Sequence, residues 1–309
     1  MFGLIRRRIK SFLRLKSVFL NAAKVSTFIK EGAGVYIHPI VPFKIGFRLI
    51  SAPFFRLESI LLPGELSFER KINELVSTFK TEHRESGQKI FDFVDFRLLI
   101  PNFKNADKVL LNDFREVYFE NVYAKHFPNS IVVKENDIVL DIGANIGIFS
   151  LWVRKQARGV KVFAIEPHPK IYQELLQNIE LNKVKGQVFP IQKCVSNKEG
   201  QCQLTFDEEV FTMTRIGSAK NSIETDVITI DALVVSEGLN QVDIIKLDIE
   251  GAERMALAGA RKTITNFKPK LALSGYHLID DVYYLVNQIL EMRSDYRIVV
   301  GSNMHIYAF

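Results

Sequence analysis

The chain has 309 residues, 47% of them hydrophobic, enough to bury a full α/β core and still carry an extra segment. Its formal charge of +6 is concentrated at one end. Ahead of Glu31 stand only basic charges (Arg6, Arg7, Arg8, Lys10, Arg14, Lys16, Lys24 and Lys30), and without these eight the remainder carries −2, so overall charge gives no support to a nucleic-acid partner.

Residues 1–30 set Phe2, Leu4, Ile5, Ile9, Phe12, Leu13, Val18 and Phe19 among those basic residues, the pattern of a basic amphipathic helix. Two readings stay open. Such a helix lies peripherally on the anionic inner face of a membrane, or it docks on its own domain or on a second copy in a homo-oligomer. Charges interrupt any apolar stretch suited to a signal peptide. No run reaches the roughly 18 uncharged apolar residues of a membrane-spanning helix. Two cysteines, Cys194 and Cys202, are too few for a disulfide framework and have no metal-ligating neighbours in sequence, which fits a cytoplasmic setting.

Residues 35–66 contain Pro39, Pro42, Pro53 and Pro63 among several phenylalanines, which excludes one long helix and predicts an irregular segment packed on the core or flapping over a site. Residues 66–84 carry Phe68, Ile72, Leu75, Val76 and Phe79 at helical spacing. Residues 91–96 alternate as a strand does, and 110–123 supply a second pairing element. We therefore expect an N-terminal extension over 1–90 and one domain over 91–309, with its core starting near residue 135.

From Asp137 onward strands and helices alternate, the signature of a doubly wound, mostly parallel α/β sheet. Strands are expected at 138–142, 161–165, 187–192, 244–248, 271–274, 296–300 and 305–309, the last two as an antiparallel edge hairpin turning at 301–303. Helices are expected at 146–154 and 171–181, with Asn178 and Asn182 as polar surface residues of the second. Ligands bind beyond the carboxyl ends of such strands, where Asp141, Glu166, Cys194, Val195 and Asp248 fall.

At the first strand the chain reads Asp141-Ile142-Gly143-Ala144-Asn145-Ile146-Gly147. Glycines after a buried strand let the backbone approach a ligand, with unpaired N–H groups facing it. Asp141 is positioned to accept hydrogen bonds from a ligand amine or a water. Glu166, at the end of the next strand, is the acid expected for ribose hydroxyls. The spacing is Asp-x-Gly-x-Asn-x-Gly rather than Gly-x-Gly-x-x-Gly, which suits an amino acid better than a pyrophosphate and resembles S-adenosylmethionine-dependent methyltransferases. The catalytic Tyr-x-x-x-Lys of an NAD-dependent oxidoreductase is also absent.

About a hundred residues on comes Ile245-Lys246-Leu247-Asp248-Ile249-Glu250-Gly251-Ala252-Glu253. Paired with Asp141 to Ser150, this run resembles the FkbM family of methyltransferases over roughly residue 122 to the C-terminus. The resemblance implies a class I methyltransferase (Rossmann-like) fold, S-adenosyl-L-methionine as methyl donor, and O-methylation of a sugar, glycoconjugate or polyketide hydroxyl.

A sulfonium methyl is already activated, so the enzyme must align the acceptor and take its proton. Asp248 and Glu250 are candidates for both tasks. Strand geometry points them to opposite faces unless Gly251 turns Glu250 back into the site, and the alternative is that Asp248 caps the following helix while Glu250 and Glu253 complement its dipole. His277, after the fifth strand, is a second candidate base on the strength of an ordinary imidazole pKa, although Ser274 replaces an acid that relatives carry there. Asp248, Glu250 and His277 are of a type that Mg²⁺ or Mn²⁺ accepts, yet nothing in the spacing demands a metal. Residues 207–224, with Phe211, Thr212, Met213, Arg215, Ser218 and Lys220, read as an unstructured lid beside the acceptor site. Alternative acceptors are a lipid, a secondary metabolite or a nitrogen. A non-catalytic binding module on the same fold is the reading from another class.

Overall fold

The computed structural model describes residues 35–37, 80–92, 96–102, 117, 132–207, 210–216, 222–301 and 304–309. The expected basic helix at 1–30, most of the proline-rich segment and all of 110–123 except Val117 lie outside them. In chain order the strands are β1 (Val35–Ile37), β2 (Lys80–His83), β3 (Lys89–Asp92), β4 (Arg97–Ile100), β5 (Ile138–Ile142), β6 (Lys161–Ile165), β7 (Val188–Ile191), β8 (Cys194–Val195), β9 (Gly200–Asp207), β10 (Val210–Ile216), β11 (Ser222–Ile228), β12 (Ile244–Leu247), β13 (Lys270–Ser274), β14 (Ile298–Val300) and β15 (His305–Ala308). The helices are α1 (Ile148–Val153), α2 (Pro169–Leu181), α3 (Ile230–Ser236), α4 (Glu253–Ala258), α5 (Arg261–Phe267) and α6 (Asp281–Met292).

The main sheet runs β1-β14-β15-β13-β12-β5-β6-β7. Strands β5, β6, β7, β12 and β13 are mutually parallel, and β15 pairs antiparallel with both β13 and β14. One reversed strand set between two others is the arrangement of a class I methyltransferase fold. Side-chain alternation gives the sheet its two faces. Leu140, Ile142, Phe163, Ile165, Ile245, Leu247, Leu271 and Leu273 pack with Leu233, Leu257, Ile264 and Val286 of α3 to α6. Val139, Val162, Ala164, Ile244 and Ala272 face Phe149 and Leu151 of α1 and Leu175 and Ile179 of α2. Both faces are covered, which is why the parallel strands read as near-continuous apolar runs. Among the described residues no helix is long and apolar enough to cross a membrane.

Several expectations are corrected. The antiparallel terminal hairpin is present as expected, and a three-residue β1 pairs parallel with β14 on its outer side, so Val35 to Ile37 are strand rather than irregular segment. Of the helix expected over 66–84, residues 66–79 lie outside the described residues. The apolar stripe stops at Phe79, and Lys80 to His83 pair with β3 instead. Of the strand expected over 91–96, residues 91 and 92 close β3 and 93–95 lie outside the described residues; β3 pairs antiparallel with β4, and Arg97 Nε donates to Asp92 Oδ1 at 2.5 Å.

The expected lid over 207–224 is largely sheet. β10 and β11 flank β9 in a second sheet ordered β10-β9-β11-β8. Val-Phe-Thr-Met-Thr-Arg-Ile is rich in β-branched and apolar residues, and it pairs with β9 as a strand.

Asn178 is no surface residue. It is fully buried, accepts from Leu99 N–H at 2.6 Å, and donates to the carbonyls of Leu99 (3.1 Å) and Ile146 (2.9 Å). Asn182 clasps Arg97 in the same way, accepting from its N–H at 2.9 Å and donating to its carbonyl at 2.6 Å. A buried amide thereby satisfies backbone groups that β4 leaves unpaired.

Candidate functional site

Three neighbouring strands, β6, β5 and β12, end side by side, with Asp141 in register with Ala164 on one side and Lys246 on the other. The turn leaving β5 needs left-handed backbone: φ is +80° at Gly143, +52° at Asn145 and +95° at Gly147. At Gly143 a Cβ would stand 1.9 Å from the Asp248 carbonyl, and at Gly147 it would stand 2.7 Å from Leu175 Cδ1. The glycines therefore admit the exit of β12 and the packing of α2.

The amides of this turn are not left for an anion, contrary to expectation. Gly143 and Ala144 N–H both donate to Ile165 O, Asn145 N–H to Glu166 Oε2 (3.0 Å), Ile146 N–H to Asn145 Oδ1, and Gly147 N–H to Ala144 O. Asp141 is fully buried, accepts from Ser150 Oγ at 2.6 Å, and pairs with Lys246 Nζ at 3.0 Å, so both carboxylate oxygens are engaged inside the protein.

Glu166 stands at the end of β6 as expected and accepts one backbone N–H on each oxygen, Asn145 on Oε2 and His168 on Oε1 (2.9 Å). Burial pushes its carboxyl up to about 7, against the pull of those two N–H bonds and of Lys246. Cys194 and Val195 are buried in β8 and pair with Val227 and Ile228 of the second sheet, not with the main sheet. Burial, Cys202 and the Glu166 charge all push the Cys194 thiol up, so it stays protonated.

The second half of the site lies where β12 and β13 end. Glu250 (φ +55°) and Gly251 (φ +103°) make a sharp exit, which brings Glu250 back toward the same side as Asp248. His277 Nε2 lies 3.7 Å from Asp248 Oδ1 and 3.7 Å from Glu250 Oε2, while its Nδ1 meets Glu253 Oε1 at 2.9 Å. Glu253 is itself buried and accepts the N–H groups of Ile249 (2.8 Å) and Gly251 (3.0 Å). It thus braces the loop as well as opening α4.

Asp248 does not cap α4, whose N-cap is Ala252 with no side-chain bond. Tyr276 Oη donates to Asp248 Oδ1 at 3.4 Å, and Arg254 holds the loop after β13 through Asp280 and Asp281. For His277, burial opposes charge, but the Glu253 bond and the charges of Glu253, Asp248 and Glu250 outweigh it and hold the imidazole near 9. That corrects the expectation of an ordinary imidazole: at neutral pH His277 is a cation that organises three carboxylates, not a vacant base.

Lys246, Ser150, Tyr276 and Glu253 were missed as site components, although Lys246 and Glu253 stand inside the motif. The available signal was the alternation of β12, which puts Lys246 on the Asp141 face of a strand otherwise wholly apolar. Asp248, Glu253 and His277, rather than the expected trio with Glu250, bring one potential metal-ligand atom each to within 4.8 Å of one another. Acceptor groups dominate this end of the sheet. Carboxylates at Glu166, Asp248 and Glu250 suit a ligand that brings ribose hydroxyls, an ammonium and a sulfonium, and the engaged turn amides suit a pyrophosphate poorly.

The family profile described as Methyltransferase FkbM domain matches residues 141–297, more than half of the chain. The chain belongs to the FkbM methyltransferase family. It is 26% identical over 178 residues to the 31-O-demethyl-FK506 methyltransferase FkbM of Streptomyces tacrolimicus, covering 47% of this chain and 66% of that protein. It is 29% identical over 126 residues to the hexuronic acid methyltransferase AglP of Haloferax volcanii, covering 41% and 51%. The crystal structure of methyltransferase FkbM from Methylobacillus flagellatus KT aligns with a TM-score of 0.46 at 25% identity, covering 63% of this chain and 48% of that one. Each alignment spans less than two thirds of the relative's own length. Within the FkbM family profile lie the turn after β5, Glu166, Asp248, Glu250 and His277.

Proposed function

We propose that this protein is an S-adenosylmethionine-dependent O-methyltransferase acting on a hydroxyl of a sugar or glycoconjugate. The observation that carries the reading is the convergence of Glu166, the 143–147 turn and Asp248 at the ends of three adjacent parallel strands. When bound, S-adenosylmethionine supplies a methyl already activated on a sulfonium sulfur.

The chain's own residues then have distinct tasks. Glu166 accepts the hydrogen bonds of ribose hydroxyls. Asp248 and Glu250 accept from the acceptor's hydroxyls and hold the reacting oxygen in line. The Asp248 carboxylate, about a quarter exposed, would take up the proton that the acceptor hydroxyl gives up. The His277 cation, anchored by Glu253, orients both carboxylates and disperses their charge.

A sugar acceptor is favoured by the relative named for hexuronic acid. A secondary-metabolite hydroxyl is the second reading, favoured by the relative named for 31-O-demethyl-FK506. The test is incubation with labelled S-adenosylmethionine and two acceptor panels, methyl glycosides and polyketide macrolides. Label in the glycosides supports the first reading, label only in the macrolides replaces it with the second, and label in neither removes both.

A further inference from the structure

We infer that Lys246 is a positioning residue of the donor site, setting the peptide that the donor lies against. The inference rests on the S-adenosylmethionine reading above. Lys246 sits in the middle of a parallel strand, only 6% exposed, where a cation has no solvent to stabilise it. Its Nζ donates to the Gly143 carbonyl at 2.7 Å and pairs with Asp141 Oδ1 at 3.0 Å, with the Phe149 ring 5.8 Å away. Asp141 Oδ2 in turn takes the Ser150 hydroxyl from α1.

The peptide between Gly143 and Ala144 is therefore clamped from two sides. Its neighbouring N–H groups are drawn to Ile165 O at the end of β6, and the Gly143 carbonyl is drawn toward β12 by Lys246. Gly143 is the point where such a clamp matters, because its φ of +80° leaves the peptide plane free to rotate unless something outside the turn holds it. Asp141, the residue whose place in the motif suggests ligand contact, instead fixes Lys246. Lys246 transmits that order to the turn, and Asn145, whose N–H reaches Glu166, continues it to the acid of the next strand.

A purely structural ion pair and a positioning cation make different predictions. The experiment is calorimetric titration of S-adenosylhomocysteine into the full chain as wild type, as Lys246→Met, and as the double variant Asp141→Asn/Lys246→Met, which leaves no unpaired buried charge. Thermal melts run alongside. Positioning predicts that wild type binds and that both variants lose at least tenfold in affinity while melting cooperatively. Should Lys246→Met fail to fold, the double variant decides. Melting shifts in the variants with affinity within twofold of wild type overturn the inference and leave Lys246 a structural residue. Absence of binding by folded wild type is a different failure, that of the donor reading itself.

Discussion

The Glu253 carboxylate meets His277 Nδ1 at 2.9 Å while its two oxygens also receive the N–H groups of Ile249 and Gly251. One buried acid thereby ties the loop after β12 to the loop after β13. The consequence for pH is definite. His277 is raised in the folded state, so its contribution to stability is fully present below its unfolded pKa of 6.5 and is lost as pH rises through about 9. Asp248, Glu250 and Glu253 face it as carboxylates, and His305 lies nearby as a buried imidazole pushed down to about 4. Urea unfolding at pH 6 and pH 10 should differ by up to about 3 kcal/mol from this group, and His277→Gln should flatten that part of the profile. Glu253→Gln should cost about 2–4 kcal/mol at neutral pH, because it leaves a buried cation short of a partner.

Glu166 gives a slope of the same sign over a lower pH window. Its carboxyl titrates near 7 when folded and near 4.5 when unfolded, so the unfolded chain releases its proton first and stability falls as pH rises from about 4.5 to 7. Glu166→Gln should remove that loss, leaving stability at pH 8 unchanged or higher by up to about 3 kcal/mol. A ribose that donates to the carboxylate favours its ionised form. S-adenosylhomocysteine should therefore bind more tightly at pH 8 than at pH 6 and release protons on binding, measurable as a buffer-dependent calorimetric enthalpy.

Gly143 and Gly186 form a matched pair for substitution. Both have φ above +80° or at it, but a Cβ at Gly143 would overlap the Asp248 carbonyl, whereas at Gly186 nothing lies within 4 Å. Gly186→Ala should cost only the left-handed penalty of about 1–2 kcal/mol. Gly143→Ala should exceed it by at least about 2 kcal/mol or abolish folding, since backbone must move. Thermal denaturation of the two variants decides this.

Asn178→Leu should destabilise by about 2–4 kcal/mol, because it orphans Leu99 N–H, Leu99 C=O and Ile146 C=O inside the core. Chemical denaturation measures the loss. A variant within 0.5 kcal/mol of wild type, the range of ordinary surface substitutions, would contradict the burial argument.

Much of the sheet was legible because buried parallel strands leave unbroken runs of β-branched and aliphatic residues, as at Val139, Leu140 and Ile142. The ends of β5, β6 and β12 were legible because a carboxylate, followed by glycine or proline, interrupts those runs. What the pattern does not carry is which partner a polar residue takes. Asp141 in a motif looks the same whether it faces a ligand or a lysine on the next strand, and only the register with Lys246 separates the two. The His277 pKa was illegible for the same reason, since it depends on three acids carried by the segment between β12 and the start of α4. Asn178 looked like solvent-facing helix because the strand that needs it, β4, lies 79 residues away. Residues 207–224 read as a lid because their alternation is weak, although the β-branched residues of β10 offered a strand signal.

The most direct test is calorimetric titration of S-adenosylhomocysteine into the wild type and Glu166→Gln at pH 8. Wild-type binding in the micromolar range, about −8 kcal/mol, weakened at least tenfold by Glu166→Gln, is what this account predicts. No binding to the folded wild type, or equal binding by both, would contradict it.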